Sequence, residues 1–303
     1  MPNTQIKPDN YIVPLNINSL EGRLLRYPNK IKKNTEILFV YGRHTSLERW
    51  WGMIQVLHSF GTVSVPDLPG YGGMDSFYKI NKKPSLDNMA EYLATFIKMQ
   101  YKKRKFVIIS VGYGFSVVTR MLQKYPELTE QVKLNVSLMG YADKEDLKNN
   151  LLLRLGFYIY TSIFKRRLPS YIVKHLFLSK FILRQRYLLG KKEYHSDKIT
   201  QLVNIEIELW KINDLRTYMY STQEMLRFTN CHQEVKLPVY HVYALDDQRF
   251  INANIEQHLK VIYDEYHPYP IKSAAKALKY ATARRSVSTL LPPQLKQTIR
   301  NLP

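Results

Sequence analysis

The chain has 303 residues, a formal net charge of +20 and a hydrophobic content of 45%. That length suits one large α/β domain with an insertion, or two domains, and the apolar content is ordinary for a globular protein. No run of about 18 uncharged apolar residues is present, which excludes a membrane-spanning helix. The N-terminal stretch Met1 to Asn10 lacks the apolar core of a signal peptide. A single cysteine, Cys231, excludes an internal disulfide and fits a reducing compartment, so the cytoplasm is the expected location. The positive charge favours polyanions: anionic lipid, acidic metabolites or nucleic acid.

Three short β-like runs open the chain, over Tyr11 to Ile17, Gly22 to Tyr27 and Thr35 to Tyr41. The third is apolar throughout and is expected to be central; it ends at Gly42-Arg43-His44. Trp50, Met53, Ile54 and Leu57 share one helical face, and Thr62 to Val65 reads as the next strand. The stretch Pro66 to Asp75 is dense in turn formers and predicts a structured loop. Ser85 can cap a helix whose inner face is Leu86, Met89, Ala90, Leu93, Phe96 and Ile97.

Residues 106 to 126 organise the rest. Phe106 to Val111 is a run of apolar or small β-prone residues, as in a strand buried on both faces. Gly112-Tyr113-Gly114 is a sharp turn. Val117, Val118, Met121, Leu122 and Tyr125 then follow helical spacing until Pro126. Another strand is expected at Val132 to Met139. From residue 144 to 231 the alternation gives way to helical patterns rich in Leu, Ile, Tyr and Phe, with eleven Lys or Arg and no acidic residue from Lys148 through Lys192. The strand–helix pattern resumes at Pro238 to Tyr243, continues through Asp246-Asp247 and a helix carrying Ile255, Leu259 and Ile262, and ends with a short strand near Tyr263 to Tyr269. A basic helical tail follows, with Pro292-Pro293 expected to break it. The resulting fold class is α/β, a mostly parallel central sheet with helices on both faces and an inserted helical cap. Residues 1–143 plus 232–303 would form the core and 144–231 the basic cap.

The strand–turn–helix at residues 106 to 126 resembles the nucleophile elbow of α/β-hydrolase-fold proteins of the capped lipase, esterase and haloperoxidase kind. Asp67-Leu68-Pro69-Gly70-Tyr71-Gly72 is similar to that family's Asp-x-Pro-Gly-x-Gly loop, and Tyr41-Gly42-Arg43 stands where the family has its oxyanion-hole loop. Tyr125-Pro126 falls at the family's usual distance past the elbow, which sets the nucleophile position at Gly112. The resemblance implies a serine there, a carboxylate at Asp247 or Asp143, and a histidine after the last strand, within about Pro270 to Lys276. Gly112 has no side chain, and that span holds no histidine. His267 is the nearest candidate base, and Ser110 and Ser116 are the serines flanking the elbow. Loss of nucleophile or base alone costs several orders of magnitude in rate.

Three functional expectations follow. The first is a non-catalytic or degenerate member of this fold that binds a small anionic or lipid-like ligand under the cap. Gly42, Arg43, His44, Gly112 and Tyr113 would form its oxyanion-type pocket, with the elbow helix N-terminus favouring an anion. The second is an active serine-type hydrolase of acyl esters with a rearranged triad. The third is a peripheral membrane or polyanion-binding protein acting through the basic cap, where Leu151 to Tyr160 followed by Lys165, Arg166 and Arg167 reads as a membrane-surface helix. Lys174, Lys180, Arg184 and Arg186 continue that mixture. No nucleic-acid module is visible. His195 and His232 show no metal-ligand spacing, and no cofactor is expected.

Overall fold

The computed structural model describes residues 7–29, 35–148, 150–179, 181–183, 185 and 197–302. Lys180, Arg184, Arg186 and His195 lie outside the described residues. Eight strands form one sheet: β1 (Ile12–Ile17), β2 (Leu20–Tyr27), β3 (Glu36–Val40), β4 (Thr62–Pro66), β5 (Phe106–Val111), β6 (Val132–Leu138), β7 (Val239–Ala244) and β8 (Tyr266–Ile271). Their spatial order is β1-β2-β4-β3-β5-β6-β7-β8. The β1–β2 and β2–β4 pairs are antiparallel, and every pairing from β4 to β8 is parallel.

The apolar runs are explained by the two faces they serve. On β5, Phe106 and Ile108 join one core with α2 (Leu86–Tyr101), α3 (Tyr113–Lys124) and α8 (Asn252–Ile262). Val107 and Ile109 join the opposite core with α1 (Trp51–His58) and the tail helices α9 (Ala275–Lys279), α10 (Arg284–Val287) and α11 (Pro293–Arg300). Alternate residues point to opposite faces of a strand, so a sheet covered on both sides needs apolar residues at every position. Ser85 caps α2 as expected, its hydroxyl accepting from the Asn88 amide at 3.3 Å.

The C-terminal region differs from the sequence expectation in two places. The last strand runs to Ile271, so Pro270 and Ile271 lie inside it rather than after it. Pro292-Pro293 opens a helix instead of breaking one: Pro293 is the first residue of α11, where a missing N–H costs nothing. The carbonyls of Glu265, just before β8, and Ile271, at its end, accept from the amides of Val239 and Leu245 at 2.8 and 2.9 Å. The two-residue period of a strand then turns Pro268 and Pro270 outward, where no ladder donor is needed.

The cap between β6 and β7 includes, among the described residues, α4 (Leu151–Phe164), α5 (Arg167–Ile172), a π-helical turn (Val173–Phe177), α6 (Asp197–Ile212) and α7 (Leu215–Met225). The cap is fastened mainly through its C-terminal half. The Asp214 amide donates to the Gly70 carbonyl and the Gly72 amide to Asn213 Oδ1, both at 2.8 Å. Tyr71 and Ser221 hydroxyls meet at 2.7 Å, and Glu224 Oε2 accepts from the Leu86 amide at 2.7 Å. The receiving loop is itself pinned from below: Arg23 Nε donates to the fully buried Asp67 at 2.9 Å, and Tyr41 donates to the same carboxylate. Gly72 has φ +63°, and a Cβ there would lie 1.9 Å from Asp67 Oδ1, which is why the loop requires glycine.

The candidate pocket at the elbow

β5 runs into Gly112, and α3 starts at Tyr113. Gly112 sits at φ +52°, ψ −120°, a conformation that side-chain-bearing residues adopt only under strain. Its amide donates to the Leu138 carbonyl at 3.1 Å, and its carbonyl accepts from Phe115 at 3.1 Å, so the turn is held on both sides. A Cβ at Gly112 would meet nothing within 4 Å; it would face open space. Gly114 is different: a Cβ there would lie 2.5 Å from the Val40 carbonyl oxygen, so this glycine lets α3 press against the end of β3.

That close approach brings the loop after β3 to the elbow. An added Cβ on Gly42 would be 3.5 Å from the Tyr113 amide nitrogen. Tyr113 is the first residue of α3, so its N–H has no intrahelical acceptor and is available at the pocket floor. His44 takes the left-handed conformation, φ +50°, uncommon for a residue with a side chain.

The pocket above Gly112 has a volume of about 620 Å³. Trp50, Val111, Met139, Leu147, Phe157, Met225, Leu226, Phe250 and Leu278 give it apolar walls, and Arg43, Lys148 and Arg249 give it three permanent cations, with no Asp or Glu among the described lining residues and Asp247 Oδ1 just outside them, 3.9 Å from Arg249 Nε. Arg43 Nη1 donates to Thr222 at 2.6 Å, and the guanidinium lies 5.3 Å from the Tyr218 ring centroid and 5.7 Å from that of Tyr113. Among the described residues no carboxylate pairs with it. Neutral hydroxyls and ring faces hold the charge without cancelling it.

The geometry separates most of the expected catalytic residues. Ser110 is buried inside β5 and donates to the Val136 carbonyl at 3.3 Å. Ser116 is buried on α3 and donates to the Tyr141 carbonyl at 2.7 Å. Neither lines the pocket. His267 lies near the start of β8, stacked on Tyr240 at 4.5 Å and paired with Glu265 at 3.1 Å. It is away from the carboxyl ends of the strands, where the pocket opens. Asp247 spends one carboxylate oxygen on its own turn, accepting from the amides of Arg249 and Phe250 at 2.7 and 3.3 Å. Asp143 Oδ1 accepts from the Glu145 amide at 2.8 Å. From the segment after β8, the described residue that reaches the pocket is Leu278, in α9.

Among the described residues, His44 is the histidine that lines the pocket. Its Nε2 lies 3.1 Å from Glu206 Oε1 on α6, its Nδ1 lies 3.4 Å from Asn213 Nδ2, and its ring packs 3.8 Å from Trp210. Glu206, held below the usual carboxylate range despite its burial by the His44 hydrogen bond, was invisible to sequence reasoning because α6 has no motif. Lys165, Arg166 and Arg167 lie at the α4–α5 junction, outside the pocket. Lys165 donates to Gln223 at 2.6 Å, and Arg166 and Arg167 are exposed.

No protein-family model and no curated protein matches the sequence. Solved structures do. The chain is similar to a thermophilic esterase from Thermogutta terrifontis (TM-score 0.62, 12% identity, 96% of this chain and 99% of that one). It is also similar to a serine-to-glycine variant of the N-acyl homoserine lactonase AidH in complex with N-hexanoyl homoserine lactone (TM-score 0.63, 13% identity, 96% and 98%). A third is a membrane phospholipase A described as a bacterial virulence factor (TM-score 0.67, 12% identity, 96% and 86%). Together with the strand order and the elbow, these likenesses define the class: the chain has the α/β-hydrolase fold. Identities this low speak to the fold and leave the chemistry to the site.

Proposed function

We propose that this protein binds an anionic, acyl-bearing small molecule in the elbow pocket and does not hydrolyse it. The observation that carries the reading is a pocket lined by Arg43, Lys148 and Arg249, without a carboxylate among its described lining residues, over an elbow that has a glycine in place of a nucleophile. Binding and chemistry have different requirements here. The anion needs the unpaired Arg43 guanidinium and the Tyr113 amide at the start of α3. Hydrolysis needs a nucleophile with a base in reach of it. Phe157, Met225, Leu226 and Phe250 suit an acyl chain. The serine-to-glycine lactonase variant holding its lactone supports the view that this fold can retain an acyl ligand around a glycine.

The test is calorimetric titration with decanoate and dodecyl phosphate against the neutral decanol. The expected result is saturable binding of at least one anion, at least tenfold weaker in Arg43→Met, with decanol bound far less tightly. Equal binding of decanol, or turnover of p-nitrophenyl esters by the unmodified protein, would overturn the proposal. The second outcome would favour an active hydrolase with a rearranged triad.

A second observation favours work at an anionic membrane surface. On α4, Leu151 and Leu152 are 81% and 79% exposed, and on α5 Leu168 is 75% exposed. Monomeric soluble proteins rarely leave so contiguous an apolar face open, and Arg166 and Arg167 beside it supply the charge an anionic leaflet attracts. No helix among the described residues is long and apolar enough to cross a membrane, so the contact would be peripheral. Phe157 belongs both to this helix and to the pocket wall, which joins the lipid-facing side to the ligand site.

A further inference from the structure

Away from the elbow pocket, three residues distant in sequence converge. Asp143 lies just past β6, Cys231 in the segment after α7, and His258 on α8. One ligand atom from each lies within 4.8 Å of the other two. None of the three lines the pocket. The local backbone fixes the arrangement. Asp143 forms an antiparallel bridge with Thr229, and the Asn230 amide donates to the Ala142 carbonyl at 2.9 Å, which brings Cys231, two residues past Thr229, close to Asp143. Asp143 also caps the short turn Lys144–Asp146, and the last residue of that turn reaches His258.

We propose that Asp143, Cys231 and His258 bind a single divalent late-transition ion, with Zn²⁺ the best fit to one carboxylate, one thiolate and one imidazole. Ligands about a tetrahedral ion of this kind stand about 3.3–3.8 Å apart, so modest closure of the observed cluster is enough. A second observation points the same way. His258 Nδ1 lies 2.6 Å from Asp146 Oδ1, and Asp146 is fully buried with its other oxygen accepting from the Ala142 and Asp143 amides at 2.7 and 2.9 Å. A buried carboxylate that orients an imidazole through Nδ1 leaves Nε2 as the ligating atom. This is the arrangement that supports histidine ligands in metal sites. The charge also fits. In a strongly basic protein this corner carries Asp143, Glu145 and Asp146 around one thiol.

The rival is a reactive cysteine activated by His258 and Asp146. It is disfavoured because the Asp143 carboxylate also stands within 4.8 Å of the Cys231 sulfur, where it repels a free thiolate and suits a cation between the two. A bound cation would reverse that balance and hold the thiolate.

Cys231 is the single cysteine, so every thiolate signal is assigned in advance. The full chain, freed of metal, is titrated with Co²⁺ and with Zn²⁺. The expected result is a thiolate-to-cobalt charge-transfer band that saturates at one equivalent and is absent in Cys231→Ser. One equivalent of Zn²⁺ should slow alkylation of Cys231 at least tenfold. Asp143→Asn and His258→Ala should each lose at least tenfold in affinity, and Asp146→Asn about 10–100-fold. Circular dichroism confirms that each variant is folded, and Asp143→Asn serves if His258→Ala is not. No band and no protection at one equivalent would overturn the proposal. So would protection that survives in the folded Asp143→Asn variant, or rapid alkylation of the metal-free thiol at neutral pH that Zn²⁺ does not slow.

Discussion

Gly112→Ser puts a nucleophile back where the elbow geometry would use one, and it separates binding from chemistry. The new Cβ meets nothing within 4 Å, so there is no steric clash to absorb. The cost is backbone strain at φ +52°, ψ −120°, which for a residue with a side chain is about 1–3 kcal/mol. An unfolding entropy of about 2.1 cal/mol/K per residue makes about 0.6 kcal/mol/K for this chain, so Tm should fall by about 2–5 °C. The catalytic gain should be nil. Removing the histidine from an intact triad costs on the order of 10⁶ in kcat, and His44, the pocket histidine, has its ring nitrogens turned to Glu206 and Asn213. The assay is hydrolysis of short and medium p-nitrophenyl esters by both proteins, alongside a fluorophosphonate probe for activated serine. Both should remain at the buffer rate and unlabelled. Turnover in the variant more than tenfold above the parent, with an acid limb reporting a histidine, would refute the reasoning and identify His44 as a working base.

Three further outcomes follow from the same structure. His241 is buried in β7 against Ser137, and burial lowers its pKa to about 3, against 6.5 in an unfolded chain. Below pH 6.5 the unfolded state takes up a proton that the folded state refuses, so stability falls by about 1.4 kcal/mol per unit until the pH nears 3. Urea unfolding should show a loss of about 2 kcal/mol from this group between pH 7 and pH 5, and a His241→Gln variant with the same pH slope would contradict it. Gly72→Ala drives a Cβ into Asp67 Oδ1 at a positive φ, and its urea midpoint should report a loss above about 3 kcal/mol; a midpoint shift under about 1 kcal/mol would show that the loop yields. On vesicles containing phosphatidylserine, Arg166→Gln/Arg167→Gln should weaken sedimentation by about 2 kcal/mol, or roughly thirtyfold, at low salt. Binding unaffected by both this change and Leu151→Ser/Leu152→Ser would remove the membrane reading.

The fold was legible because its signals are local. The uniformly apolar Ile37–Val40 and Phe106–Val111, the helical spacing from Val117 to Leu122 and the Pro-Gly loop each report their own environment. Gly112 was legible for the same reason: it stands inside a contiguous motif. The limits of β8 were blurred because Pro268 and Pro270 look like breakers until the direction of their missing donors is known. Glu206 facing His44, and His258 facing Asp146, are products of tertiary closure between unrelated elements, and no spacing rule encodes them. The exposure of α4 was legible in part: Leu151 to Tyr160 holds more apolar residues than one buried face needs, with Lys165, Arg166 and Arg167 directly after it.

The outward-turned prolines of β8 bear on how copies of this molecule can meet. A bare sheet margin offers a row of donors and acceptors on which a second chain can add a strand. Here two donors are missing from that row, at Pro268 and Pro270, so the margin cannot template a continuous ladder. The sheet is closed to growth on this side. Self-association, if it occurs, is directed away from strand exchange at β8 and toward side-chain surfaces, where composition rather than backbone pairing chooses the partner.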